Sequence, residues 1–156
     1  MKRTMILNMS VLLVLAAAVN AQPADEGKTC SNETLKGSYG GTISGTRPAP
    51  TVIPGLPTGL QGQLEQAIGL TLWDFDGKGG FTQSISGKGT ISGPGDLPVS
   101  GTYSVNANCT ATVRPIVPGL GPGEIRMVIV DGGKEFRTFV VSPQSTMVVG
   151  HARKVN

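Results

Sequence analysis

Histidine, cysteine and aromatic residues are scarce in this chain, and each shortage excludes a class of function. The 156 residues include one histidine, two cysteines and 4% aromatic side chains. No Cys-x-x-Cys pair exists to form a zinc or redox motif. The Gly-x-Ser-x-Gly motif of serine hydrolases is also missing, because the serine of GTISG (41–45) stands one place off. We therefore predict no catalytic residue, no metal site and no cofactor.

Long helical patterns are missing beyond the first 21 residues. The sequence consists instead of short runs rich in Val, Ile, Thr, Phe and Tyr, separated by Gly, Pro, Asn and Asp. This pattern is typical of an all-β domain with many short strands. The predicted strands span residues 38–46, 66–75, 80–91, 99–106, 109–117, 124–131, 134–142 and 146–154.

The amino terminus has the pattern of a secretory signal peptide. A positively charged start precedes a mostly apolar run over 5–19 that is too short to span a membrane. Val-Asn-Ala fits the small-x-small cleavage rule, so we predict cleavage after Ala21, with Ala18 as the second choice. Residues 1–21 are then a signal peptide, and the mature chain is secreted or periplasmic with no transmembrane segment.

The positive charge of the chain is modest. The formal net charge is +3, and Lys2 and Arg3, which lie in the predicted signal peptide, supply two of these charges. No basic patch interleaved with aromatic residues remains, so we predict no nucleic-acid partner. The sequence does not indicate an oligomeric state.

The two cysteines, Cys30 and Cys109, most simply form one disulfide in an exported chain. The bond closes a loop of about 80 residues, and the chain-entropy model assigns such a loop a stabilisation of about 4 kcal/mol. Cys30 precedes the first predicted strand and Cys109 begins the fifth, so a meander of sequential strands places both at the same end. Residues 22–37 are then an N-terminal segment tied to the domain by this disulfide.

The connections between the predicted strands are of two kinds. Tight Asp, Asn and Gly turns follow the second, fourth and sixth strands, whereas long apolar connections follow the first and fifth, and SGPGDLP (92–98) is intermediate. In a sequential meander the tight turns lie at one end and the long loops at the other. Without a Greek-key crossover, residues 38–156 are predicted to form a single eight-stranded antiparallel up-and-down β-barrel, with a two-sheet β-sandwich as the alternative.

The segment DFDGKGG (74–80) combines two aspartates with glycines, as calcium loops do. An EF-hand loop needs oxygen ligands at its positions 1, 3 and 5 and a glutamate at position 12. Counting from Asp74, position 5 is Lys78 and position 12 is Ile85, and neither side chain suits calcium. We predict instead a hairpin turn that begins at Asp76.

Two near-copies, VIPGLPTG (52–59) and IVPGLGPG (116–123), form unusually apolar loops. The meander places both at the open end. Three alternative roles fit the two loops at this end. They cover a cavity for an apolar ligand, they form a contact patch for a partner or a membrane surface, or their prolines and glycines only make the connections rigid. The predicted ligand contacts are Ile53, Leu56, Val117 and Leu120 in the loops and Trp73 and Phe75 on the wall.

Three titratable residues on the last two strands, Glu135, Arg137 and His151, are candidate ligand contacts if their face is interior. Alternation alone does not decide which face is buried. General burial statistics favour a solvated face for Glu135 and Arg137. The small residues Gly150 and Ala152 suit the crowded inside of a barrel, which favours an outward His151.

Four segments carry a resemblance to known proteins: CSNETLKGSYG (30–40), GLTLWDFDGKGGF (69–81), SGTYSVNANCTATV (100–113) and VIVDGGKEFRTF (128–139). They resemble a group of short exported bacterial proteins with a Cys-x4-Leu-x-Gly-x-Tyr start. More distantly, the layout is similar to the allene oxide cyclase and dirigent-like barrels of the calycins. Those barrels bind apolar small molecules and steer a cyclisation or coupling by cavity shape, so the resemblance implies an internal apolar cavity. No functional residue of those barrels carries over onto this sequence.

Three functional hypotheses follow. The first is an exported small β-barrel that binds a small apolar molecule without catalysis, in a cavity of a few hundred Å³. The second is an isomerase or cyclase that uses the same pocket with one or two of Glu135, Arg137, His151 and Arg153. The third is a structural or interaction module whose apolar loops dock on a partner.

Overall fold

The computed structural model describes residues 29–51, 55–119 and 121–155, which form an all-β structure. None of the helices within these ranges has the length and apolar character needed to cross a membrane. Two short 3₁₀ turns, η1 (Asn32–Leu35) and η2 (Asp131–Gly133), accompany the strands. The strands are β1 (Gly37–Pro48), β2 (Leu64–Phe75), β3 (Gly80–Gly89), β4 (Gly93–Val105), β5 (Thr110–Val117), β6 (Gly121–Pro122), β7 (Glu124–Val130), β8 (Glu135–Ser142) and β9 (Met147–Lys154).

The strands form one closed antiparallel barrel. The sheet order is β4-β3-β2-β1-β9-β8-β7-β5, and pairing of β4 with β5 closes it. The two-residue β6 only extends the end of β5. Each of the eight long strands therefore pairs with its neighbours in the chain, and β1 pairs with β9. The predicted eight-stranded up-and-down barrel is confirmed, and the sandwich alternative is wrong.

Aromatic side chains fill one half of the barrel interior. The rings of Trp73 and Phe75 stack with centroids 5.6 Å apart, and Tyr103 meets Phe75 edge-on at 4.9 Å. Tyr39 and Phe136 complete the group at 5.1 Å. Such pairs add about 0.5–1.5 kcal/mol each beyond the area they bury. Most of the chain's few aromatic residues are thus concentrated in one core cluster.

Glycines permit the tight curvature that closes so narrow a barrel. A Cβ atom on Gly41 of β1 would lie 2.0 Å from the backbone oxygen of His151, and one on Gly101 of β4 would lie 2.2 Å from that of Arg114. Neighbouring strands can approach this closely only where no side chain projects inward. Gly41 and Gly101, which face inward, therefore allow the sheet to bend.

The two rims differ as the turn lengths predicted. Residues 76–79, 106–109 and 131–134 make the turns of one rim. The long connections after β1 and β5 lie at the other rim, together with the short turns after β3 and β8. The hydroxyl of Thr51, in the connection after β1, donates a 3.0 Å hydrogen bond to the carbonyl of Gly119, in the connection after β5. The connection after β1 therefore contacts the second apolar loop (116–123) at the open rim, where the prediction placed both loops.

The N-terminal segment closes the tight-turn rim. Cys30 and Cys109 form the predicted disulfide, with α-carbons 5.0 Å apart, a separation within the usual range. Leu35 of η1 is fully buried against the aromatic cluster. The Asn32 side-chain oxygen accepts a 2.9 Å hydrogen bond from the Val105 amide. The segment after Cys30 is thus an integral plug of this rim.

The predicted turn in DFDGKGG is confirmed. Oδ1 of Asp76 accepts hydrogen bonds from the amides of Lys78, Gly79 and Gly80 at 2.7, 2.9 and 2.9 Å. These bonds, strongest from Lys78 and Gly80, lower the pKa of the Asp76 carboxyl. The carboxylate therefore stabilises the hairpin between β2 and β3.

The predicted loop over 92–98 is wrong. The connection after β3 is a three-residue turn, and β4 already begins at Gly93. Pro94 and Pro98 suggested a break, but residues of β4 before Ser100 pair with β3 alone. A proline, which has no N–H, is tolerated on such a free edge. The β3–β4 hairpin therefore projects at the open rim.

Candidate functional site

An internal cavity of about 110 Å³ lies between the aromatic cluster and the open rim. It is smaller than the few hundred Å³ that the sequence led us to expect. An engineered apolar cavity of roughly 150 Å³ holds benzene, so this space suits one small ring or a short chain. Its apolar lining comprises Ile43, Trp73, Ile85, Leu97, Val99, Pro115, Val117, Ile125, Val140, Pro143 and Val148.

Five polar residues, Arg47, Gln83, Thr138, Ser142 and Thr146, also line this cavity. Gln83 is only 7% exposed and lies opposite Trp73 in the β2–β3 pairing. A few polar groups in a mostly apolar lining are the usual composition of a small-molecule site, since they orient and select the ligand.

A buried ion pair stands beside the cavity. Glu65, whose side chain is 0% exposed, lies 3.2 Å from Nε of Arg47, whose side chain is 19% exposed. Glu65 also accepts hydrogen bonds from the hydroxyl and amide of Ser92 at 2.8 and 2.9 Å and from the Ile91 amide at 3.1 Å. Burial by itself raises the pKa of Glu65, but the Ser92 and Ile91 bonds and the Arg47 charge outweigh it and lower the pKa.

Sequence reasoning missed this pair. Arg47 and Glu65 are direct cross-strand partners on β1 and β2, but the predicted strands ended at 46 and began at 66. The side chains of Ala67, Thr71 and Trp73 face inward on β2, and the same two-residue alternation, continued from Ala67 towards the start of the strand, reaches Glu65. An inward carboxylate at that position would have indicated a buried partner, because an unpaired buried charge is costly.

A second cavity of about 230 Å³ adjoins the first beneath the β3–β4 hairpin. The two share Arg47, Ile85 and Leu97 as lining residues. Pro50 and Asp96 border the outer part of the second cavity. Because Arg47 lines both cavities, its side chain stands where the two adjoin.

The predicted apolar contacts are only partly brought together. Trp73 and Val117 line the internal cavity. Phe75 faces inward but belongs to the aromatic cluster below it. Leu56 is half-buried in the rim loop, where its carbonyl accepts a hydrogen bond from Gln61, and it does not line the cavity. Ile53, Leu120 and the predicted signal peptide lie outside the described residues.

Glu135, Arg137 and His151 face outward, so the alternative in which these side chains contact a ligand inside the barrel is wrong. Glu135 is flanked by the guanidinium Nε atoms of Arg137 at 3.7 Å and Arg153 at 3.4 Å. His151 is exposed and its Nδ1 lies 3.3 Å from the Thr42 hydroxyl. Alternation places these side chains outside because Phe136 and Ala152 occupy the inward positions beside them.

The outer face also carries exposed apolar side chains. Ile68 and Leu70 of β2 are each 65% exposed and border an open groove of about 790 Å³ with Lys88 and Asp96. This groove is larger than the internal cavity, but it is a shallow surface feature and encloses little of a small molecule. The internal cavity is the better candidate site because it surrounds its contents.

Fold and site together define a small closed antiparallel β-barrel with an internal, mostly apolar cavity at one rim. No family model and no curated protein matches the chain. Among solved structures, a redesigned β-barrel is similar, with a TM-score of 0.48 and 16% identity, covering 80% of this chain and 95% of that one. A likeness of this degree says nothing about function.

Proposed function

We propose that this protein is an exported small β-barrel that binds a small apolar molecule without catalysing its conversion. The observation that carries the proposal is the internal cavity, whose lining is mostly apolar and includes Trp73 and five polar residues. Burying an apolar ligand there gains about 25 cal/mol for each Å² removed from water. The adjoining cavity beneath the β3–β4 hairpin supplies a path to this space.

The placement of the charged groups supports binding over catalysis. Glu65 is the buried carboxylate nearest the cavity, and both of its oxygens already accept two hydrogen bonds each. A carboxylate so fully bonded, with a lowered pKa, is poorly suited to exchange protons with a ligand. The cyclase alternative drew its titratable residues from Glu135, Arg137, His151 and Arg153, which lie outside the barrel.

Export is the second part of the proposal. The disulfide between Cys30 and Cys109 is a bond that persists in oxidising compartments. The predicted signal peptide ends at Ala21, so the exported chain begins at Gln22. Intact mass spectrometry of protein recovered from the periplasm or medium of a bacterial host checks this start. Retention of the full chain in the cytoplasm would contradict export.

A titration with toluene tests the binding proposal. Trp73 is the single tryptophan of the sequence, and it lines the cavity, so its fluorescence reports occupation. We expect toluene to change Trp73 emission saturably and to raise the melting temperature, because a ligand that binds only the folded state stabilises it.

Val148 and Val149 provide a matched pair of variants for this titration. Val148 lines the cavity, whereas Val149 is 57% exposed on the opposite face of β9. We expect Val148→Phe to fill the cavity and abolish saturable binding, and Val149→Phe to leave it intact. Equal toluene binding in both variants would place the ligand elsewhere and refute the proposal.

A form of the interaction-module hypothesis in which the outer face of the barrel, and not the apolar loops, is the contact surface has one specific observation in its favour. Ile68 and Leu70 of β2 and Val149 of β9, with β1 between these two strands, expose apolar surface on the outer face, and such patches often mark contact sites. Sedimentation over a wide range of protein concentrations tests self-contact through this face. A monomer throughout would remove this form of the hypothesis.

A further inference from the structure

The side-chain amide of Gln83 is a buried polar group without a hydrogen-bond partner among the residues that the structure describes. Gln83 is more than nine-tenths buried and lines the internal cavity. Within the described ranges, its amide makes no hydrogen bond with another residue. No fully sealed side-chain nitrogen or oxygen in those ranges lacks a partner, so the Gln83 amide atoms open onto the cavity. The amide is therefore available to whatever occupies this space.

A glutamine at this position is costly if its role is only to pack. Its strand neighbours on the inward face, Phe81 and Ile85, are apolar. A buried amide without a partner loses the hydrogen bonds it made to water, whereas leucine of similar size would fill the space at no such cost. The amide gains its hydrogen bonds back only when the cavity holds a group that can bond to it.

Arg47 offers further donors to the same cavity. Its Nε atom is bonded to Glu65 at 3.2 Å. Its two Nη atoms find no acceptor among the residues that the structure describes, although Arg47 lines both cavities. Glu65 holds the guanidinium through Nε, which leaves the N–H groups of both Nη atoms for an acceptor in the cavities that Arg47 lines.

The charges around the cavity determine whether a neutral or a charged ligand oxygen is the better acceptor for Gln83 and Arg47. Glu65 already neutralises the Arg47 charge within the barrel. A carboxylate ligand would add an unbalanced negative charge to a mostly apolar space, close to the buried carboxylate of Glu65, and this is unfavourable. A carbonyl oxygen accepts hydrogen bonds from Gln83 and Arg47 and adds no charge.

We infer that this cavity selects small apolar molecules that carry a neutral carbonyl oxygen, with Gln83 as the specificity-determining residue and Arg47 as a second donor. The inference rests on the proposed function and narrows its ligand class. The cavity volume of about 110 Å³ limits such a ligand to about one ring or a short chain.

Three probes of similar shape test this inference: methylcyclohexane, cyclohexanone and cyclohexanecarboxylate. The hydrocarbon leaves water more readily than the ketone, and this difference is the same for every variant. Calorimetry therefore compares the ratio of cyclohexanone affinity to methylcyclohexane affinity between variants. We expect Gln83→Leu to lower this ratio about tenfold or more, as the loss of one good hydrogen bond does. We also expect its melting temperature to equal or exceed that of the wild type.

Two further variants sharpen the experiment. Ser84→Leu adds the same side chain at the next, exposed position of β3 and should leave the ratio unchanged. Arg47→Lys keeps a charge for Glu65 but removes the guanidinium fork, so it should weaken cyclohexanone binding and leave methylcyclohexane binding intact.

Each remaining outcome has a defined meaning. An unchanged ratio in Gln83→Leu would overturn the inference while hydrocarbon binding still supported the proposed function. If cyclohexanecarboxylate binds more tightly than the other two probes, and Arg47→Lys abolishes this binding, the claim that the cavity selects a neutral carbonyl oxygen is wrong. Failure of all three probes to bind the wild type would overturn both proposals.

Discussion

Replacing Cys30 or Cys109 with serine lowers the free energy of unfolding by about 4 kcal/mol in oxidising buffer. The bond joins residues 79 apart in sequence, and a cross-link over such a loop removes much of the conformational entropy of the unfolded chain. It also anchors the segment that places Leu35 under the aromatic cluster. Denaturant titration at neutral pH measures the change.

The double variant provides the control for this prediction. Cys30→Ser with Cys109→Ser should lose no more stability than either single variant, because all three lack the same bond. A reducing agent should destabilise the wild type to the level of the variants and leave the variants unaffected. Equal unfolding midpoints for wild type and variants in oxidising buffer would contradict the account of this rim.

Replacing Arg47 with methionine should cost about 3–5 kcal/mol at neutral pH, because it leaves the buried Glu65 carboxylate without its counter-charge. The wild-type contribution of Glu65 depends on pH in a defined direction. Its pKa is lowered from 4.5 on folding. The stability that it provides is therefore complete above pH 4.5 and is lost as pH falls through the lowered value.

Two comparisons isolate the buried pair. Glu65→Gln in the Arg47→Met background removes the unpaired charge and should recover most of the lost stability. Arg137→Met breaks an ion pair whose arginine is 74% exposed and should cost less than about 1 kcal/mol. If Arg47→Met and Arg137→Met have the same effect on the unfolding midpoint, the proposed energetic role of the buried pair is wrong.

Much of the architecture could be predicted because turn chemistry is local. Short Asp, Asn and Gly turns follow the second, fourth and sixth predicted strands, and the two long apolar connections follow the first and fifth. Sequential pairing of the strands therefore separates the two rims and brings Cys30 and Cys109 to the same end. The start of β4 could not be predicted in the same way. Prolines such as Pro94 and Pro98 usually interrupt a strand, and only the closed structure shows that this part of β4 is a free edge.

The candidate site was harder to predict because both faces of some strands are apolar. On β2, Trp73 faces inward and Leu70 outward, so hydrophobicity did not distinguish the two faces. Gln83 carried a usable signal, since it shares a face with Phe81 and Ile85 and a lone amide on an apolar face suggests a polar function. The volume of the cavity depends on how all eight strands pack, and no local pattern encodes it.

A crystal structure of the protein under xenon pressure tests the central claim most directly, because xenon enters apolar cavities that are large enough to hold it. The account predicts a xenon atom inside the barrel, in contact with Trp73 and Val148, in the wild type and in Val149→Phe but not in Val148→Phe. Xenon found only in the outer groove beside Ile68 and Leu70, or nowhere in the molecule, would contradict it.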